Sequence, residues 1–277
     1  MNTGWLIPDW PAPAGVEAVF TTRAGGVSAA PWGSLNLGDH VGDMPVHVSA
    51  NRALLSQAID ARPVFLRQVH GTEVAHLTSC TEDGTEADAC LTEVAGLACT
   101  IMVADCLPVL LTTADGAVIA AAHAGWRGLA GVGGVGVLES TVGRLRAVAG
   151  ELSKKAPEVL AWLGPCIGPA AFEVGAEVKA AFEAADPAAA ACFVAQSPSD
   201  GAGEAGSAKY LADLPALARL RLAALGVNRV YGNDGSAPWC TVGNPSEFFS
   251  HRRDAGRCAG ANGSGTTGRM AAAIWRV

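Results

Sequence analysis

The strongest constraint on this chain is a pair of apolar runs, GLACTIMVADCLPVLLTT at residues 96–113 and GAVIAAAHAGW at residues 116–126. Both are β-prone and nearly uninterrupted, and only a short charged turn at Asp115-Gly116 separates them. A strand with one wet face alternates apolar and polar side chains, because successive residues point to opposite sides. A run without that alternation is covered on both faces. The fold must therefore supply layers outside these strands.

Segments able to form such layers are present. Helical content is readable over Asp43–Ala61, late in Leu129–Val148, in EVKAAFEAA and over Leu214–Leu225. Further strands are expected in VEAVF, Val64–Val69, TEVAHLTSC, VLAWL, VNRVY and the closing MAAAIWRV. The stretch EDGTEADACLTE reads as a charged loop. Strands alternating with helices predict an α/β layered fold. No repeat and no linker interrupts the pattern, so residues 1–277 are expected to form one domain.

Composition narrows the partners. Half of the residues are apolar and 16% are charged, which excludes a largely disordered chain. A formal net charge of -7 argues against a nucleic-acid footprint, though not against small anions held in a local pocket. No apolar stretch reaches the roughly 18 residues of a membrane span, so no membrane partner is expected. The eight cysteines are scattered and form no CxxC, and no secretory leader is visible, so a cytoplasmic, reduced protein is expected. Monomer and homodimer are equally open.

Three reactive side chains end apolar runs: His70 after VFLRQV, Cys106 inside VADCLPVLL, and His123 inside AAHAGWRGL. Strand ends hold side chains firmly while letting them face a cleft. Two imidazoles and a thiolate suit zinc, with a fourth position free for a reactant. On residue types alone, a second reading stays open, since a cysteine among apolar residues often serves as a small buried hydrophobe.

The blocks LRQVHG, VADCLPVLL, AAHAGWRGL, LGPCIGPAAFEVG and CTVGNPSEFFSHRRD, followed by TTGR, resemble in order the signature blocks of a known family. It was once called multicopper polyphenol oxidase (laccase-like) and is now regarded as containing purine nucleoside phosphorylases. The resemblance runs from about Phe20 to the C-terminus. It implies a four-layer α-β-β-α sandwich with mixed sheets, and a Zn²⁺ held by His70, Cys106 and His123. It also implies phosphorolysis of adenosine, inosine, guanosine and methylthioadenosine, with adenosine deamination as a further activity.

Phosphorolysis needs a holder for phosphate, and arginine matches two phosphate oxygens at once. Arg127 and Arg252 lie in the signature blocks and are expected to act catalytically together with the three zinc ligands. Arg67, Arg253, Arg269 and Glu173 are expected to bind substrate or phosphate. Asp105, Glu173 and His251 are candidates for the proton-transferring group, Asp105 the poorest of them because strand neighbours face opposite ways. The zinc-deaminase signature HxE…PCxxC is absent. Alternatives are an amidase-type hydrolase editing peptidoglycan precursors, a thiol hydrolase with Cys106 as nucleophile, and a copper polyphenol oxidase, for which six histidines are too few to build a multicopper cluster. A binding protein using Trp32, Trp126 and Trp239 as an exposed surface is a fourth. The segment AGRCAGANGSG at residues 255–265, which carries Cys258, is an insertion relative to the expected junction.

Overall fold

The computed structural model describes residues 4–152, 157–197, 208–255 and 266–277. All of the insertion after Ala255, with Cys258, lies outside the described residues.

The chain opens with strand β1 (Val16–Phe20), helix α1 (Pro45–Ile59), and strands β2 (Arg62–Phe65), β3 (Val74–His76) and β4 (Ala89–Thr92). Strands β5 (Leu97–Val103), β6 (Leu107–Thr113) and β7 (Ile119–Ala124) follow, then helices α2 (Trp126–Ala130) and α3 (Val137–Leu152). The second half holds β8 (Val159–Leu163), β9 (Glu173–Gly175), α4 (Ala176–Glu183), β10 (Phe193–Ala195), β11 (Lys209–Ala212) and α5 (Leu214–Ala224). It closes with β12 (Arg229–Gly232), the short α6 (His251–Asp254) and β13 (Met270–Arg276).

Two sheets dominate, a four-stranded one in the order β1-β13-β5-β2 and a six-stranded one in the order β12-β8-β6-β7-β4-β3. Both are mixed: β2 runs parallel to β5 and β12 parallel to β8, whereas β1 and β13, like β6 and β7, are antiparallel. A small third sheet, β10-β11-β9, completes the set.

Three apolar clusters mark the boundaries between layers. Leu55 and Ile59 of α1 pack on Ala98, Met102, Ala271 and Ala273, the outer face of the first sheet. Its inner face, including Cys99, Ile101, Ala272 and Ile274, meets Cys90, Leu110, Ala121 and Trp162 of the second sheet. The far side of the second sheet, with Val109, Leu111 and Ala122, packs on Leu138, Val142 and Leu145 of α3 and Leu217 of α5. The order is α-β-β-α, as the resemblance implies. Every residue of β5, β6 and β7 is buried, which is why the apolar runs do not alternate.

Two expectations change. The strand expected over Val64–Val69 pairs regularly only as far as Phe65. Beyond it the Gln68 side chain takes over the pairing, donating from Nε2 to the Met102 carbonyl and accepting the Met102 N–H, each at 2.8 Å. The segment read as a charged loop contains β4, whose four residues are all buried between β3 and β7. Its charges flank the strand, so composition hid a core element.

Candidate metal centre

The three sequence-predicted donors converge. The imidazoles of His70 and His123 and the thiol of Cys106 present ligand atoms that all lie within 4.8 Å of one another. They come from the loop after β2, the turn between β5 and β6, and the end of β7. The two imidazole rings meet edge to face at a centroid distance of 4.8 Å, and His70 Nε2 lies 3.7 Å from Cys106 Sγ. His123 is buried, Cys106 half-buried and His70 exposed, so the group is open from one side.

Each donor is held from behind. Asp88, at the foot of β4, stands opposite His123 across the β4–β7 ladder, and its carbonyl accepts the His123 N–H at 2.7 Å. Its carboxylate accepts the His123 Nδ1–H at 2.8 Å. The same carboxylate accepts three successive backbone N–H groups, from Val69 at 3.0 Å, His70 at 2.8 Å and Gly71 at 2.6 Å. One buried carboxylate therefore fixes a ring and a loop together, and holds His70 at a φ of 61°, which a non-glycine residue rarely adopts. With Nδ1 committed to Asp88, Nε2 is the His123 nitrogen left for a metal.

Cys106 follows Asp105, which has a φ of 92°. The Asp105 carboxylate accepts the Thr241 hydroxyl and the Arg252 N–H, each at 2.6 Å. Both oxygens are occupied in bracing the turn, which removes Asp105 from the proton-transfer candidates. Gly125 supplies the remaining space. A Cβ there would stand 2.9 Å from His70 Cδ2 and 3.0 Å from Cys106 Sγ, so only glycine lets β7 turn into α2 beside the donors.

The electrostatics agree with a ligand set. Burial opposes ionisation of the Cys106 thiol, but His123 and His70 outweigh it and bring the thiol to about 6. Burial likewise opposes charging His123, yet the Cys106 thiolate and Asp88 push it up to about 9. Asp88 is buried, and the His123 and backbone hydrogen bonds nonetheless hold its carboxyl below the ordinary range. A thiolate with two imidazoles, one oriented by a carboxylate, fits the borderline-soft preference and low coordination number of zinc.

The donors form one wall of a cavity of about 370 Å³. Trp126, Phe172, Ile167 and Met102 give it apolar and aromatic surface, and His40, His251, Arg127, Arg252 and Arg269 line it as well. The Arg127 guanidinium lies 4.4 Å from the Trp126 ring centre, and Arg252 lies 5.8 Å from that of Phe172. Trp126 is thus a half-buried cavity wall. Trp32 and Trp239 are half-buried too, the former donating to the Val41 carbonyl at 3.0 Å and the latter packed edge-on against Trp162.

The other sequence-predicted residues lie elsewhere. Arg67 is exposed and pairs with Glu86. Arg253 is half-buried and spends its guanidinium on Asp254 and on the carbonyls of Thr241, Val242 and Phe248, a structural knot under α6. The Glu173 carboxylate is exposed, 3.8 Å from Lys209, while its carbonyl accepts a hydrogen bond from Arg252. Sequence reasoning missed the supporting hydrogen bonds of Asp88 and Gln68 and the place of His40 in the cavity lining. A signal existed only for His40, as a histidine in the Gly- and Asp-rich stretch SLNLGDHVGD.

Comparison with known proteins places this geometry among relatives. The family described as multi-copper polyphenol oxidoreductase laccase matches residues 17–277. The chain is 45% identical over 274 residues to purine nucleoside phosphorylase YfiH of Escherichia coli (strain K12), covering 98% of each. It is 47% identical over 271 residues to a purine nucleoside phosphorylase of Pseudomonas aeruginosa, again covering 98% of each. Among solved structures, Neisseria meningitidis protein NMB0706 superposes with a TM-score of 0.81 at 42% identity, covering 99% of both chains. YlmD from Geobacillus stearothermophilus gives 0.76 at 31% identity, covering 100% of this chain and 97% of that one.

Proposed function

This chain belongs to the laccase-like polyphenol oxidoreductase family, whose curated relatives bear the name purine nucleoside phosphorylase, and on that premise we propose that it is a zinc-dependent purine nucleoside phosphorylase. Its substrates are adenosine, inosine, guanosine and methylthioadenosine with inorganic phosphate, and adenosine deamination is a second activity of the same cavity. The observation that carries this reading is the meeting of three soft donors and three arginines in one aromatic-walled cavity.

His70, Cys106 and His123 would hold the zinc, and Asp88 would keep His70 and His123 in position. Zinc bound there supplies a Lewis-acidic positive charge to the reacting centre. The chain's own residues do the rest. Trp126 and Phe172 offer flat surfaces against which a purine can stack. Arg127, Arg252 and Arg269 draw in the anionic nucleophile. A phosphate oxygen then bonds to the ribose C1′ while the bond from C1′ to the purine nitrogen breaks. The bonding pair leaves with the base, which takes up a proton. His251, lining the cavity outside the donor set, is the side chain of this proposal that exchanges it.

The test incubates metal-counted protein with a nucleoside panel, with and without phosphate, and identifies products by mass. Free base with ribose 1-phosphate, formed only when phosphate is present, is the expected result. Inosine from adenosine marks the deaminase activity. Protein that is fully active when metal-free sinks the zinc assignment.

A second reading has one specific observation in its favour. A Cys106 thiol at about 6, with His70 Nε2 at 3.7 Å, is also the arrangement of a thiolate nucleophile. Alkylation that kills turnover in chelator-treated, still active protein selects that hydrolase reading. Loss of activity on chelation, restored by added zinc, selects the first.

A further inference from the structure

The three cavity arginines are not equivalent. Arg127 is exposed with its guanidinium over Trp126, and Arg252 is exposed and donates to the Glu173 carbonyl. Arg269 is half-buried. Its Nη1 donates to the carbonyls of Thr267 at 2.9 Å and Gly268 at 3.3 Å. Among the described residues no carboxylate pairs with it, and its Nε and Nη2 meet no acceptor. Burial lowers its pKa while the charges of Cys106 and Asp105 oppose that, and a sheltered guanidinium with three of its five N–H groups idle is costly unless an anion completes it.

The segment beside it is built with unusual care. Ser28, Asn36, Asp43 and Asn51 are polar and buried, and they bond to one another. Asp43 accepts from Ser28 at 2.6 Å and from Asn36 at 2.9 Å, and Asn51 donates to Ser28 at 2.9 Å and to the Asn36 carbonyl at 2.8 Å. The network ends on Arg269: Asn36 Oδ1 accepts the Arg269 N–H at 2.9 Å, and the Leu37 N–H donates to the Arg269 carbonyl at 3.0 Å. Contact is so close that a Cβ on Gly38 would stand 2.7 Å from Arg269 Cγ. Two residues further on, His40 lines the same cavity as Arg269 and the three donors. Buried polar networks that are fully satisfied give rigidity, and this one brings an imidazole and an unpaired guanidinium to the same cavity.

We propose that His40 and Arg269 form the oxyanion subsite of this cavity and take inorganic phosphate, the guanidinium through its two idle nitrogens and the imidazole through one N–H. Burial, then the Arg269 charge, lowers the His40 imidazole below its ordinary value, while Asp39 opposes that and Arg52 adds to it. The imidazole Nδ1 lies 3.5 Å from Asp39 Oδ1, which leaves Nε2 as the nitrogen for the anion. The assignment rests on the phosphorolysis reading for its choice of anion, and it adds a residue and a place to that reading.

Calorimetric titration of inorganic phosphate into the zinc-loaded protein, with metal content assayed for every variant, tests it directly. His40→Asn should weaken phosphate binding about tenfold, the loss of one charge-assisted hydrogen bond. Arg269→Gln should weaken it about a hundredfold, and Arg269→Lys should recover only part of that because the fork is lost. Gly38→Ala, which touches neither binding group's polar atoms, should weaken it by crowding Arg269. Metal content should not change in any of them, and in turnover the KM for phosphate should rise while that for nucleoside holds. Unchanged phosphate affinity in both His40→Asn and Arg269→Gln, or no phosphate binding by the parent protein, overturns the subsite. Binding that these variants abolish in a protein that converts no nucleoside keeps the subsite and sinks the phosphorylase reading. Turnover with an unchanged phosphate KM in both His40→Asn and Arg269→Gln does the reverse.

Discussion

The two walls of the cavity are built on opposite principles. On the donor wall the supporting groups are all partnered: the Asp88 carboxylate accepts four hydrogen bonds, His123 is charge-balanced by Cys106 and Asp88, and the Asp105 carboxylate accepts two hydrogen bonds. On the arginine wall the positive groups are left over. Arg269 keeps idle donors, and Arg127 has an aromatic face in place of a carboxylate. The first wall is complete within the protein and ready for a cation of fixed geometry. The second is incomplete until an anion arrives, and its backbone is braced by a buried network of hydrogen bonds.

The largest expected effect comes from breaking the first wall at its centre. Cys106→Ala removes the thiolate that balances His123, and zinc stoichiometry measured by elemental analysis should fall to near zero, with phosphorolysis and deamination lost together. A variant that is zinc-free yet keeps both activities breaks the comparison outright. Asp88→Asn is subtler. It retains one oxygen but loses the charge, and its amide nitrogen faces two N–H donors where an acceptor stood, so zinc affinity in a chelator competition should drop about 10- to 100-fold, the usual cost of losing such a support. Unchanged affinity would show that the backbone alone orients His70 and His123.

Acid tests the buried network directly. Burial opposes ionisation of Asp43, but hydrogen bonds from Asn36, Ser28 and the Met44 N–H hold its carboxyl below the ordinary range. A carboxyl depressed in the folded state contributes stability above its unfolded pKa, about 3.9, and loses it as pH falls through the folded value. Urea midpoints followed from about pH 6 to pH 3 should therefore fall, and Asp43→Asn should flatten that fall while lowering stability at neutral pH. An identical pH slope in the variant would remove Asp43 from the bracing role. The smallest effect belongs to Arg67→Gln. Its exposed pair with Glu86 is worth about 0–1 kcal/mol, so the melting temperature and both KM values should hardly move. A rise in phosphate KM would extend the arginine wall beyond the cavity.

Legibility differed between the walls for the same reason. Histidines number only six, and the blocks around His70, Cys106 and His123 resemble those of a family, so these residues stood out at the ends of apolar runs, and the runs themselves announced strands covered on both faces. Arginine position in the signature blocks did not separate Arg269 and Arg127, which face the cavity, from Arg253, which ties carbonyls beneath α6. Asp88 was concealed in a stretch that looked like a charged loop, because its role exists only once β4 lies beside β7.

The sequence by itself determined the layered α/β architecture, which follows from side-chain type and local periodicity, properties of short segments, and it pointed to the three donors through the resemblance of their blocks to a family. Tertiary structure alone decided that one carboxylate serves two of those donors, which arginines remain unpaired, and that His40 joins the cavity. Those outcomes depend on contacts between residues far apart along the chain, such as Asn36 with Arg269, and packing sets them where propensity has no reach.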